Sequence, residues 1–415
     1  MSENQKKIVS NWFKEHAFNM VHPPRDKMIY SFIDPGMQYD GQLWDWDSYF
    51  SAKGLFAICE YFKNDPDFDY ESRKKQVIDG AMGSVKTFLS IQLEDGYIPI
   101  MTNNVRLNDR LWIGIHNEKD EDNQHKPFLS QATLAVSEYA NDYDWFDLAP
   151  FFKYFEYYKR KQFHSRSGLY VWKSDIMIGM DNNPSVFGLP YESVGDIYLN
   201  CFMYMELKAF AKILQIKNND RAGEFLEQAE QLKQTIIKEC WDKKDGIYYS
   251  VFVDLAKNHG GVMHSGMEFF WKSLPIKIRM AICFLPIYAG IATPEQTKIM
   301  IEKHYLDPAF LSPYGLRSLA ADEKLYCLWG TSNPSNSLGP IWMIYNYLAF
   351  ESLKKAGRDD LATDLCQKML NNFAKDIEKS SKVDECYNPE TGEPIMNQSF
   401  ISWNCLIIKM LNECK

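Results

Sequence analysis

Gln42-Leu43-Trp44-Asp45-Trp46-Asp47-Ser48-Tyr49-Phe50 interleaves two tryptophans with two aspartates where a helical run begins. An indole offers a flat apolar surface to the C–H face of a sugar ring, and a carboxylate accepts hydrogen bonds from adjacent hydroxyls. The same residues suit a plain helix start, with Asp45 or Asp47 as the N-cap and the indoles in a core. Residue types alone leave both readings open.

Outward from this stretch the chain reads as amphipathic helices. Ala222, Phe225, Ala229, Leu232 and Ile236 recur at spacings of three and four, which puts them on one helical face. Ile341, Ile344, Tyr345, Leu348 and Ala349 form another stripe, which Gly357 can end as a C-terminal cap. Asp359 then caps a helix striped by Leu361, Leu365, Met369 and Phe373, making an antiparallel helical hairpin. Comparable stripes occupy 46–63, 73–93, 127–140, 145–162, 196–215 and 399–413, with less regular ones at 5–18, 265–284 and 294–304.

About a dozen helices are therefore expected. No linker or low-complexity tract divides the 415 residues, and no short fixed repeat marks a solenoid. The expected fold is all-α, a single domain over 1–415 of stacked helical hairpins closed in a ring. The loop at 355–360 is short and charged, whereas those at 34–47, 95–126, 172–193, 329–340 and 382–398 are long and rich in Trp, Asp, Asn and Pro. Gathered at one end of the stack, the long loops would form the site.

Composition excludes several functions. With 46 basic against 55 acidic residues the net charge is −9, unsuited to a general nucleic-acid binder, which needs a basic face. Eight histidines show no HExxH or His-Cys ligand spacing, so a protein-built zinc site is not expected, and no Walker loop, dinucleotide fingerprint or GxSxG elbow appears. The polar start at 1–19 lacks a signal peptide's apolar run, and the longest apolar stretch, 280–292, is too short for a bilayer and contains Pro286. Nine scattered cysteines without a CxxC read as buried thiols in a reducing compartment. A cytoplasmic protein without a membrane partner is expected.

Two further segments place a carboxyl where it could do chemistry. In Ile176-Met177-Ile178-Gly179-Met180-Asp181-Asn182-Asn183-Pro184 one acid follows an apolar run. Apolar surroundings disfavour its charged form and keep it protonated, as a general acid requires. An Asx-turn is the plainer use of Asp181. In Val383-Asp384-Glu385-Cys386-Tyr387-Asn388-Pro389-Glu390-Thr391-Gly392, Glu385 precedes a tight turn, where it could activate a water or simply face solvent.

These segments, with Asp95-Gly96-Tyr97-Ile98-Pro99, Gly315-Leu316-Arg317-Ser318-Leu319 and Gly339-Pro340-Ile341-Trp342, occur in the order found in one enzyme family. The chain resembles the (α/α)6-barrel α-glycosidases of glycoside hydrolase family 63 and, more distantly, the family 37 trehalases. The resemblance implies a toroidal barrel with its site in the loops at one end. It also implies hydrolysis of an α-glucoside or α-mannoside with inversion, Asp181 being general acid and Glu385 general base. Such carboxyls stand roughly 6.5–9.5 Å apart to admit a water. This mechanism requires neither a metal nor an organic cofactor.

It further implies that Trp44, Trp46 and Asp47 shape the sugar pocket, that Gln124 hydrogen-bonds substrate, and that Trp342 and Trp403 wall the pocket. The chain's size resembles compact members acting on glucosylglycerate or mannosylglycerate. A carboxylate-bearing substrate would call for a cation, and Arg106, Arg110 and Lys126 lie in a suitable loop. The 328–338 stretch departs from the family pattern. A small carbohydrate is the expected partner. A sugar epimerase on a related barrel, or a non-catalytic carbohydrate-binding protein, are the competing readings. The first would favour histidine acid/base groups, and the second sugar affinity without turnover.

Overall fold

The computed structural model describes residues 2–103, 123–255, 271–329 and 336–414. Within them lie twelve α-helices: α1 (Glu3–His16), α2 (Asp45–Phe62), α3 (Tyr70–Ser90), α4 (Leu129–Ala140), α5 (Ala149–Lys161) and α6 (Ile197–Ile216), then α7 (Ala222–Cys240), α8 (Leu285–Tyr288), α9 (Pro294–Met300), α10 (Met343–Lys355), α11 (Asp359–Ser380) and α12 (Leu406–Glu413). The even-numbered helices touch in cyclic order, each its neighbour, and α12 closes on α2. Odd-numbered helices lie outside this ring: α3 against α2 and α4, α7 against α6, and α11 against α10 and α12. Phe151 and Phe155 dock α5 on Phe210 of α6. This is the expected (α/α)6 barrel.

The two layers differ as their positions demand. Outer helix α7 buries only the stripe Ala222, Phe225, Ala229, Leu232, Ile236 and Cys240 and leaves its charged side to solvent. Inner helix α6 is buried almost all round, from Ile197 to Leu214, because α4, α7 and α8 cover it. Closure is tight. A Cβ on Gly54 of α2 would lie 2.1 Å from Cys405 Sγ, so only glycine admits that crossing.

The helix expected at 265–284 is not formed where it can be seen. Residues 265–270 lie outside the described residues; Leu274–Pro275 instead pairs as a strand with Val251–Phe252. Pro275 disfavours helix at the residue before it and cannot donate within one. Helix resumes only as a 3-10 turn at Ala281–Phe284, followed by the single turn of α8, which carries Pro286 in its first turn. The 399–413 stripe also splits, into a 3-10 turn at Ser402–Cys405 and then α12.

Short strands, absent from the all-α reading, lead into the inner helices. Gln42–Trp44 pairs with Met101–Asn103, and Ile341–Trp342 joins Asp384–Tyr387 and Pro394–Gln398 in one sheet. One device fastens such strands three times. Asn200 donates to the carbonyls of Tyr170 and Asp196, Asn346 to those of Leu316 and Trp342, and Asn404 to those of Asp384 and Phe400. The inner helices' N-termini therefore share an end with the long loops. No described helix is long and apolar enough to cross a membrane.

Candidate active site

At that end the loops interlock. The Asn123 amide donates to the carbonyls of Ser174 and Ile176, Ser337 N–H to the Asp181 carbonyl at 2.8 Å, and Ser402 N–H to the Pro35 carbonyl. Asp45 and Asp47 stand in the first turn of α2, where helix dipoles favour acids, while Trp44 takes the N-cap position. Neither aspartate is the cap.

The Asp45 carboxylate holds three donors: Trp46 N–H, Lys126 N–H and, at 2.7 Å, Lys126 Nζ. Lys126 Nζ also reaches the Met177 carbonyl and lies 5.9 Å from the Trp46 ring. Of the three cations considered for a substrate carboxylate, Lys126 is thus committed within the protein, and Arg106 and Arg110 lie outside the described residues.

Trp46, Trp403 and Trp342 come together in a chain, with ring centroids 4.8 Å and then 6.3 Å apart. Trp44, two residues before Trp46, is partly buried, its indole donating to Gln42. Ser402 Oγ donates to Asp47 at 3.0 Å. Burial raises the Asp47 carboxyl to about 7 against the opposing pull of Lys126 and Ser402. Gln124 is fully buried: its carbonyl oxygen accepts Ile98 N–H and its amide donates to the Gly96 carbonyl, so the side chain braces the 95–99 loop.

Asp181 sits partly buried in the 176–184 turns, which press on the tryptophans. Gly179 adopts φ +88°, and a Cβ there would meet Trp46 at 3.1 Å. Glu385 is 4% exposed on the strand Asp384–Tyr387, whose Cys386 pairs with Trp342. Tyr345, on the first turn of α10, lies between Ser337 and Trp342. Its hydroxyl meets Ser337 Oγ at 2.9 Å, and its ring is 5.9 Å from Trp342. Burial pushes the Tyr345 phenol well up, opposed by the Ser337 hydrogen bond and reinforced by the Asp181 and Glu385 carboxylates. Both acids, with Asp196, thus act on one phenol through their charge. Such a place, with carboxyls and packed indoles together, suits acid/base work on a sugar.

Sequence reasoning missed Tyr345, which read as one member of a helical stripe. It also missed the strut between two of the quoted segments: Arg317 Nη2 binds Glu390 Oε1 at 2.8 Å, and Tyr326 donates to the same oxygen. Of the 328–338 stretch, Asn336 and Ser337 are buried at the site, and 330–335 lie outside the described residues. Among the described residues His22, Asp34 and Asp40 have metal-compatible spacing. Their carboxylates already accept the Gly36 and Gly41 amides and the Arg25 guanidinium, which leaves little for an ion.

Residues 40–403 match the family model described as mannosylglycerate hydrolase MGH1-like glycoside hydrolase domain. Among solved structures, the family 63 mannosylglycerate hydrolase from Thermus thermophilus in complex with glucose shares 15% identity, with 96% of this chain and 99% of that one aligned and a TM-score of 0.67. The complex of that enzyme with Tris and D-glycerate gives 14% identity, 98% and 100% coverage and a TM-score of 0.66. The neutral trehalase Nth1 from Saccharomyces cerevisiae aligns at 16% identity over 92% of this chain and 74% of its own, with a TM-score of 0.64. At these identities the likeness is one of fold. No curated protein sequence matches.

Proposed function

The chain belongs to the mannosylglycerate hydrolase MGH1-like glycoside hydrolase family, and on that premise we propose that it is an inverting α-glycosidase acting on a small α-glucoside or α-mannoside. Asp181 is the general acid and Glu385 the general base. The observation that supports this pairing is a short chain of contacts: Ser337 N–H donates to the Asp181 carbonyl, Ser337 Oγ meets the Tyr345 hydroxyl, the Tyr345 ring packs on Trp342, and Trp342 pairs with Cys386, the neighbour of Glu385. Asp181 gives its proton to the departing glycosidic oxygen as the C1–O bond breaks. Glu385 takes a proton from a water attacking C1 on the opposite face, so the water oxygen becomes the new, inverted anomeric hydroxyl. The tilted, closely packed Trp46, Trp403 and Trp342 shield the reacting sugar and present a ring face to its C–H groups. Asp47 hydrogen-bonds its hydroxyls, and Trp44 borders the same pocket. Gln124, spent on the 95–99 backbone, acts as a positioning residue.

The aglycone is small. Glycerate conjugates are the first candidates, since a structural relative is described as a mannosylglycerate hydrolase, and trehalose-like disaccharides come second. All of 1–415 forms one catalytic domain in this reading. The nine free cysteines, seven of them buried, support a reducing, cytoplasmic location.

The test is a panel of α-glucosides and α-mannosides, including glycerate conjugates and trehalose, followed by proton NMR from the first turnovers. The β-anomer should appear first and then mutarotate. First appearance of the α-anomer, or cleavage of no panel member, would overturn the proposal.

A further inference from the structure

At the end of the barrel away from the long loops, a cavity of about 540 Å³ opens between the turn after α8, α9 and the start of the segment after α10. That volume is within the range of small-molecule sites. Its wall is apolar at Ile287, Ala292, Ile301 and Ala356, and charged at Lys298, Lys355, Arg358 and Glu302. Three cations against one carboxylate leave the lining at +2. Asp360, outside the lining, takes Arg358 Nε and Nη2, and counting it leaves +1. The chain as a whole carries −9.

Lys355 is the fixed point of this wall. It donates to the Tyr288 carbonyl, and its Nζ lies 4.6 Å from the Tyr288 ring centroid. Burial lowers its pKa; Glu351 opposes that, while Lys53 and Lys208 add to it by repulsion. Glu351 offers limited relief, because Lys409 holds its carboxylate at 3.0 Å. An anion in the cavity would relieve the crowded cations. The place is distinct from the candidate active site: α10 starts beside Trp342 and ends at Lys355, 13 residues later, a separation of about 20 Å at helical rise.

We propose that this cavity binds a small molecule bearing a phosphate monoester, whose charge of roughly −1.5 to −2 at neutral pH matches the lining and whose organic body covers the apolar wall. Arg358 through Nη1, beside the fork it makes to Asp360, and Lys298, 4.0 Å from Glu302, supply charge-assisted donors, and Lys355 anchors the inner side.

The full-length protein is titrated with inorganic phosphate against sodium chloride at equal ionic strength, followed by calorimetry and by thermal unfolding. Saturable phosphate binding is expected, weakened about tenfold by Lys298→Glu or Arg358→Gln and unchanged in Asp181→Asn. Lys355→Met should abolish it. Because that variant loses a backbone contact, the two rim variants carry the test if it fails to fold. Two results overturn the proposal: stabilisation no greater than that by chloride, or wild-type affinity in both rim variants. Neither outcome depends on the glycosidase reading.

Discussion

Lys126 Nζ lies 2.7 Å from the Asp45 carboxylate, and the two side chains are 1% and 0% exposed. Burying both charges is costly and is offset only by close geometry and further hydrogen bonds. Here Asp45 also accepts the amides of Trp46 and Lys126, while Lys126 reaches Met177 in the 176–184 segment. One ion pair thus ties the start of α2, the 123–127 segment and the 176–184 turns. Lys126→Met strands a buried carboxylate and should cost about 3–5 kcal/mol. Asp45→Asn combined with it should cost less than the sum of the single changes. Urea unfolding of the four proteins measures the coupling, and strict additivity would show that the pair does not hold the loops.

The acid and base assignments make a sharper demand. Asp181→Asn and Glu385→Gln should each lower kcat by about 10²–10⁴-fold, with little change in Tm and with KM near the wild-type value. Near-normal turnover by either variant removes that residue from its role. A fall in Tm matching the loss of activity would mark a structural role instead.

The helix pattern was legible where one side of a helix faces water. The stripe of α7 shows in its sequence because solvent enforces the contrast. Inner helix α6 was read as one more stripe, over 196–215, although in the fold it is buried almost all round. The misread 265–284 stretch had apolar content without a clear period, and Pro275 belongs to a strand there. The site was less legible. Asp45 and Lys126 are 81 residues apart, and nothing local in either predicts an ion pair that only the packing of α2 beside α4 creates. Asp181 and Glu385 came from ordered motifs, whereas Tyr345, which touches the field of both, sits in an ordinary helical stripe.

A third carboxyl beside the proposed base gives a pH signature. Burial, reinforced by Asp376, raises the Asp384 carboxyl from 3.8 to about 7. The folded protein therefore binds a proton there that the unfolded chain releases once the pH passes its ordinary value. Stability is fullest below that value, falls as the pH rises from about 4 to about 7, and is then level with respect to this group. Asp384→Asn cannot ionise and should flatten the fall, gaining on the wild type between pH 5 and pH 8. Urea midpoints at those two pH values decide it, and equal slopes for both proteins would sink the idea.

Arg317 and Glu390 brace the turn that follows the proposed base. Arg317 is almost wholly buried and also donates to the Pro308 carbonyl, while Glu390 is half-exposed at the tip of the 388–393 turn. Glu385 lies on the strand leading into that turn, so loosening its tip lets the strand shift against Trp342, its neighbour in the sheet. Because one partner faces solvent, the pair itself should contribute only about 1 kcal/mol to stability. Its effect on the reaction should be larger, since small misplacement of a base is felt in kcat. Glu390→Gln should therefore lower kcat several-fold while KM and Tm barely move. Arg317→Lys keeps the charge but loses the forked geometry, and should restore only part of the rate. Exchanging the residues, Arg317→Glu with Glu390→Arg, places a carboxylate in a pocket built for a guanidinium and should not rescue. Steady-state kinetics with thermal unfolding on the same samples separates the outcomes: parallel loss of Tm and kcat would reduce the strut to a purely structural contact.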